Sequence, residues 1–314
     1  MKKVLLLFVL IASTLKVSGQ DFDKEKIVNR LADIMNRNYV FPDKGKEMHD
    51  LIKGKLKRNE YSAYEDEASF AQALEDDLRS VIYDKHIRVT NNSQRAEAIR
   101  NRDFGPGPRS NGKFGFEEVK ILEGNIGYLD LRGFSDIGQA EDVAKPAMDK
   151  LIKSDAIIFD LRRNGGGSPS MIRFISSYLF GDEPEHLNTF YWRPSDSYSE
   201  TWTDPKMASQ TKPNIPIYVL TSNYTFSAAE EFTYNLKNME RATIIGETTG
   251  GGAHPGGPSI IHGDFIVNVP RGRAINPITK TNWEGVGIKP HIELPKEDAL
   301  KKALELARKA IASK

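Results

Sequence analysis

The chain has 314 residues, 39% of them hydrophobic, and carries 44 Lys and Arg against 43 Asp and Glu, a formal net charge of +1. That length buries one large core, or a medium core beside a small accessory domain, and the interspersed charges offer no surface to nucleic acid or to a strongly acidic partner. With no Cys, thiol catalysis, disulfides and cysteine-ligated metal are excluded, and the six His contain no pair at the close helical spacing of a zinc site.

Residues 1–19 read as a secretory signal peptide: Met1-Lys2-Lys3 is basic, residues 4–15 are apolar, and Val17-Ser18-Gly19 offers small residues for cleavage near Gly19. The apolar run is too short to span a bilayer, and no later run approaches the ~20 residues of a transmembrane helix. The expectation is export, to a periplasm or outside the cell. Residues 20–90 read as a three-helix domain, because Ile27, Leu31, Ile34 and Met35, then Met48, Leu51, Ile52 and Leu56, then Phe70, Leu74, Leu78 and Val81 recur at helical spacing. Residues 91–112, rich in Arg, Asn, Gly and Pro, read as a mobile linker or flap.

An α/β core is expected over residues 113–314. Residues 114–122 and 126–131 read as strands, residues 140–154 as a helix, and Ala156-Ile157-Ile158-Phe159-Asp160-Leu161 as a strand of a buried parallel sheet. Next comes RRNGGGS, residues 162–168, and a helix over about 170–179. A glycine loop between strand and helix lets bare amides approach a ligand, as an anion nest or half of an oxyanion hole, which makes Gly165, Gly166 and Gly167 candidates. It lacks the ending of a P-loop and the spacing of a dinucleotide fingerprint. Residues 183–213 read as an irregular insertion bearing Trp192, Tyr198 and Trp202, either a substrate wall or a lid. Residues 263–274 read as a hairpin and residues 297–312 as a closing amphipathic helix.

The segment 217–252 reads as strand, turn, helix, strand and glycine loop, with Ser227 where the turn enters the helix. Free N–H groups and the positive dipole end there stabilise an alkoxide, and the Ala228 amide is placed to donate to an oxyanion. The same features suit a plain cap, with Glu230 or Glu231 completing a capping box. The glycine run that follows, which contains His254, reads as mobile, with Gly251 and Gly252 as candidate substrate contacts. His86, between a helix end and a β-prone run, is placed either to reach into a cleft or to sit on the surface against the helix dipole. A serine hydroxyl near neutral pH needs a base, and the base an orienting partner. Ser227, His86 and Glu284 supply the three types on separate segments.

DLRRNGGG, TSNYTFSAAEE, GETTGGG and WEGVGIKP, in this order and at these separations, resemble the C-terminal-processing (tail-specific) serine peptidases. The closer likeness is to the branch of the tricorn core protease and the repeats of interphotoreceptor retinoid-binding protein, and it covers nearly the whole mature chain. The resemblance implies a crotonase/ClpP-like α/β core behind a helical N-terminal domain, peptide or protein substrates, and neither metal nor organic cofactor. It implies Ser227 as nucleophile, His86 as the histidine of a D-x-H motif, Glu284 as the glutamate of a tetrad, and the Ala228 and Gly166 amides as the oxyanion hole. The tetrad serine before the histidine is Lys85 here, and the lysine of the bacterial Ser–Lys dyad is Gly252. No room remains between His86 and the core for a PDZ domain. The related peptidases usually work in the bacterial envelope. A non-catalytic binding protein for an apolar ligand or peptide is the alternative, favoured by Lys85 and the aromatic insertion and opposed by the retained Ser, His and Glu. An esterase is a third reading.

Overall fold

The computed structural model describes residues 22–102 and 112–313. The expected signal peptide, residues 1–19, lies outside them, and so do residues 103–111 of the expected flap. Three helices come first, α1 (Lys24–Asn38), α2 (Pro42–Lys57) and α3 (Glu67–Val81), and their starts follow local chemistry. Asp23 caps α1 by accepting from Lys26 N at 2.9 Å, and Asp66 caps α3 by accepting from Ser69 N at 2.8 Å. Pro42 opens α2, where a missing N–H has no partner to lose. Of the positions read from helical spacing, Ile27, Leu31, Ile34, Met35, Met48, Ile52, Phe70, Leu74 and Leu78 are buried, and Leu51, Leu56 and Val81 are half-buried.

The stretch read as a linker carries regular structure at its start. β1 (Arg88–Asn91) leads into α4 (Ser93–Arg100), which Asn92 caps by accepting from Arg95 N at 2.9 Å. Only Ala96 of that helix is buried, so no apolar stripe signalled it.

The remaining elements follow as β2 (Phe116–Leu122), β3 (Ile126–Leu131), α5 (Ile137–Leu151), β4 (Ala156–Asp160), α6 (Pro169–Ser177), β5 (His186–Trp192), β6 (Ser197–Trp202) and β7 (Ile217–Thr221). Then come α7 (Ala228–Asn238), β8 (Thr243–Gly246), β9 (Gly256–His262), β10 (Phe265–Pro270), β11 (Gly272–Ile275), β12 (Ile292–Glu293) and α8 (Lys296–Ala312). Six strands form one sheet in the order β12-β8-β7-β4-β3-β2, parallel except for β2. Alternate side chains of each strand point to opposite faces. Leu129, Ile157, Phe159, Val219 and Ile244 meet α5, α6 and α7, while Tyr128, Ile158, Tyr218, Leu220 and Ile245 meet Ala299, Ala303 and Ala307 of α8. This is the α/β class expected, with strands buried on both faces. Among the described residues no helix is long and apolar enough to cross a membrane.

Two expectations change. Residues 183–213 are not irregular: β5 and β6 pair as an antiparallel hairpin with Tyr191 opposite Tyr198, and β11 adds a third strand to β5. Their alternation is weak because β6 lies exposed at the sheet edge. The hairpin read at 263–274 is instead β9–β10, turning at Gly263, while β11 belongs to the sheet with β5.

The sheet β1-β10-β9 lies under the N-terminal helices, and Ile261, Phe265, Val267 and Val269 share one apolar core with α1, α2 and α3. This shared core fixes where the His86 turn sits. Glu75 of α3, buried, accepts from Val89 N at 2.9 Å and pairs with Arg79 at 2.6 Å, and Arg79 in turn donates to Lys85 O at 3.0 Å. Removing the carboxylate strands a buried amide and a guanidinium, at a cost of about 1–3 kcal/mol. Glu75→Ala is therefore expected to lower Tm by several degrees in calorimetry and to speed amide exchange over residues 84–89. An unchanged Tm with unchanged exchange would show that this clamp does not hold the turn.

Candidate active site

Ser227 enters α7 with φ 56° and ψ −120°, a backbone region that L-residues rarely adopt. Its neighbours enforce the geometry: Phe226 N donates to Asn164 O at 3.1 Å, and Ser227 N donates to Glu230 Oε2 at 2.9 Å. Glu230 thus supplies the return half of the expected capping box. The side chain of this sharp strand-to-helix turn meets an imidazole, with Ser227 Oγ lying 3.1 Å from His86 Nε2 across 141 positions of sequence.

His86 is fixed from three directions. Its amide donates to Asp84 Oδ1 at 2.9 Å, its carbonyl accepts from Asn268 Nδ2 of β10 at 2.7 Å, and its ring lies 4.7 Å from that of Phe226. Burial lowers its pKa to about 4, against the attraction of Asp84, so the imidazole is neutral at physiological pH. Its Nδ1 is buried without a hydrogen-bond partner, and Asp84 Oδ1 stands 3.8 Å away.

Behind His86 lie two carboxylates and a second imidazole. Asp84, fully buried, accepts at Oδ2 from Tyr39 Oη at 3.1 Å and from His254 Nδ1 at 2.8 Å. Burial alone would raise its pKa, but the hydrogen bond and charge of His254, with the charge of His86, hold it below the ordinary carboxylate value. Glu284 Oε2 accepts from Ala253 N at 2.5 Å and lies 3.5 Å from His254 Nδ1, while its Oε1 is buried without a partner. Burial, reinforced by the charge of Asp84, pushes Glu284 up to about 7. One donor atom from each of Asp84, His86 and Glu284 lies within 4.8 Å of the others, a convergence that would also suit a small divalent ion. Asp84 already accepts three hydrogen bonds, which organises this cluster for protons.

The expected glycine donors are placed otherwise. Gly166 N donates to Asn164 Oδ1 at 2.9 Å, and Gly166 O accepts from Phe134 N at 2.9 Å, so this amide is turned into its own loop. What Gly166 contributes is space: at φ 106°, a Cβ there would stand 2.9 Å from Ser227 Cβ and 3.0 Å from Ala228 N. Gly167 bridges to Phe134, whose backbone would collide with any side chain, and Gly165 borders Tyr224. Gly251 and Gly252 donate to Glu230 at 2.6 and 2.8 Å, which removes both amides from substrate contact. The run they belong to is buried and tied, not loose. Ala228, at the first turn of α7, keeps an amide that has no intrahelical acceptor. Lys85 turns away from the imidazole and donates to Gly250 O at 2.6 Å.

Asp84, His254 and Tyr39 are the site residues that the sequence reading passed over. Asp84 was legible as the acid two places before a histidine. His254 was hidden in a glycine run, and Tyr39 in a helix boundary.

The sequence profile of peptidase family S41 matches residues 125–294, and that of the N-terminal domain of this family in eukaryotic IRBP matches residues 22–110. A putative peptidase from Parabacteroides merdae aligns with TM-score 0.64 at 19% identity, over 91% of this chain and 97% of that one. The photosystem II D1 C-terminal processing protease aligns with TM-score 0.57 at 15% identity, over 92% of this chain and 97% of that one. A putative S41 protease from Bacteroides fragilis aligns with TM-score 0.54 at 21% identity, over 61% of this chain and only 57% of that one. These likenesses show the fold. Because the family profile spans more than half of its length, the chain belongs to peptidase family S41.

Proposed function

We propose that this chain is an exported serine peptidase in which Ser227 is the nucleophile and His86 the general base. The observation that carries the reading is the 3.1 Å contact between Ser227 Oγ and His86 Nε2 at a strained helix start. With Nε2 accepting the serine proton, the ring proton sits on Nδ1, facing Asp84 Oδ1 at 3.8 Å. Attack on a peptide carbonyl then leaves an imidazolium beside two carboxylates, and its charge is stabilised by Asp84 and, once ionised, by Glu284. The Ala228 amide at the dipole end of α7 faces the developing oxyanion. Collapse of the tetrahedral intermediate passes the proton from His86 to the leaving amine, and water hydrolyses the acyl-serine by the same route. No cofactor enters these steps. Export rests on residues 1–19 alone.

Labelling with a fluorophosphonate, which requires an activated serine, tests this directly. Wild type is expected to be modified at Ser227 by peptide mapping, Ser227→Ala not at all, and His86→Ala at a rate at least ~100-fold lower. A folded wild type that stays unmodified would favour the binding-protein alternative, to which the unpartnered Nδ1 of His86 also points.

The pH dependence separates the two acids. His86 must be neutral to act, so labelling is expected to fall only as pH drops through about 4. Glu284 becomes anionic as pH rises through about 7, and its charge favours the imidazolium, so a second rise is expected near that pH. Glu284→Gln is expected to abolish the upper step and keep the lower. A single step near the ordinary histidine value in both proteins would refute this assignment.

A further inference from the structure

Behind the Ser227–His86 contact, two buried polar atoms are left unserved. His86 Nδ1 and Glu284 Oε1 have no hydrogen-bond partner among the described residues, a condition that folded proteins rarely leave uncompensated. Asp84 Oδ1 adds a third atom with capacity to spare. A carboxylate offers roughly four lone pairs. Oδ2 of Asp84 takes Tyr39 Oη and His254 Nδ1, while Oδ1 takes only the His86 amide, so a lone pair remains on Oδ1, 3.8 Å from His86 Nδ1.

The other bonds of these residues hold the three side chains in place. Glu284 is tied through Oε2 to Ala253 N at 2.5 Å, and the His86 backbone is held by Asp84 and by Asn268. One ligand atom from each of Asp84, His86 and Glu284 lies within 4.8 Å of the others. Ligands ~2.1 Å from a tetrahedral ion stand ~3.4 Å from one another, so the Asp84–His86 pair is near that spacing and a small closure of Glu284 completes the set. The side chains of His86 and Glu284 keep 14% and 17% of their surface exposed, which gives an ion its way in. Lys85 is turned to Gly250 O, away from the imidazole. An imidazole with two carboxylates suits zinc and its neighbours, whereas Ca²⁺ takes six to eight oxygens and Mg²⁺ demands a near-octahedral oxygen shell.

We propose that Asp84 Oδ1, His86 Nδ1 and Glu284 form a three-ligand site for a divalent ion of the zinc class, and that the ion switches the base off. The site stands on its own geometry, while its inhibitory effect rests on the peptidase reading above. A neutral imidazole carries one ring proton, and an ion on Nδ1 takes the lone pair there, so the proton moves to Nε2. Across the 3.1 Å contact, Nε2 then donates to Ser227 Oγ instead of accepting its proton. The ring neither gains nor loses a proton, yet the base is gone. Asp84 and Glu284, which otherwise meet the imidazolium, are spent on the ion.

Untagged protein stripped of metal by a chelator is titrated with Zn²⁺ in competition with a fluorescent zinc chelator, and its histidine rings are followed by long-range proton–nitrogen NMR. One Zn²⁺ per chain is expected, with the His86 ring proton passing from Nδ1 to Nε2. Glu284→Gln, which keeps the side chain's shape, and His86→Ala are each expected to weaken binding at least ~10-fold, since changes merely behind a metal ligand already cost ~10–100-fold. Fluorophosphonate labelling of the wild type is expected to slow ~100-fold at saturating Zn²⁺, the worth of a general base, and to recover on adding chelator. Absence of stoichiometric binding, binding indifferent to both substitutions, or a ring proton that stays on Nδ1 at saturation overturns the proposal. So does unchanged labelling with Zn²⁺ bound, in a protein that labels without it. A wild type unlabelled even in chelator sinks the peptidase reading instead, and the titration and NMR still decide the site.

Discussion

One buried carboxylate, that of Glu230, ties together the pieces from which the site is built. It accepts from Ser227 N at 2.9 Å, Thr249 Oγ1 at 2.5 Å, Gly251 N at 2.6 Å and Gly252 N at 2.8 Å. Burial raises its pKa and the four hydrogen bonds pull it back, the compensation that a buried acid requires. Through Ser227 it sustains a backbone conformation that a non-glycine residue does not hold unaided. Thr249 in turn accepts from Ile288 N at 2.8 Å, Gly252 O accepts from Trp283 Nε1 at 2.8 Å, and Ala253 N reaches Glu284. The Ser227 turn, the glycine loop and the Trp283–Glu284 turn are thus one hydrogen-bonded unit.

Electrostatics at the centre follow from burial acting on groups of opposite sign. It disfavours charge, which lowers His86 and raises Glu284 until their pKa values cross. Around pH 7 the imidazole is therefore neutral while Glu284 is poised between its two forms. Asp84 remains charged because Tyr39, His254 and the His86 amide solvate it. Asp84 Oδ1 stands 3.8 Å from Nδ1, and Glu284 brings a carboxylate oxygen within 4.8 Å of a ring nitrogen, so a charged carboxylate and a titrating one adjoin the same imidazole.

Much of this was legible in the chain. Helical spacing located α1, α2 and α3 because their stripes are strict, and the continuous run at β4 announced a parallel sheet because such strands have no wet face. Ser227, His86 and Glu284 were legible from residue type and motif, and the fold does bring them into one cluster. The glycines were misread for a physical reason. Composition shows that an amide can approach something but not what it approaches, and in Gly251 and Gly252 the partner is Glu230 rather than a ligand. Similarly, the role of His254 depends on a contact across 170 positions that no local pattern encodes. The hairpin of β5 and β6 escaped because edge strands carry polar side chains on both sides.

His86 and Ser227 meet across 141 positions of sequence, and this explains why the N-terminal helices are inseparable from the site. His86 sits on a turn held by α3 through Glu75 and Arg79, and by β10 through Asn268. The underside of α1, α2 and α3 is completed by Ile261, Phe265, Val267 and Val269, which belong to the hairpin directly after the glycine loop. Tyr39, at the end of α1, reaches past this core to Asp84. The helices therefore bury their apolar face on the hairpin whose preceding loop is clamped to Ser227 by Glu230. Register between His86 and Ser227 is set by apolar packing on one side and by a single carboxylate on the other, with the 3.1 Å contact as their common result.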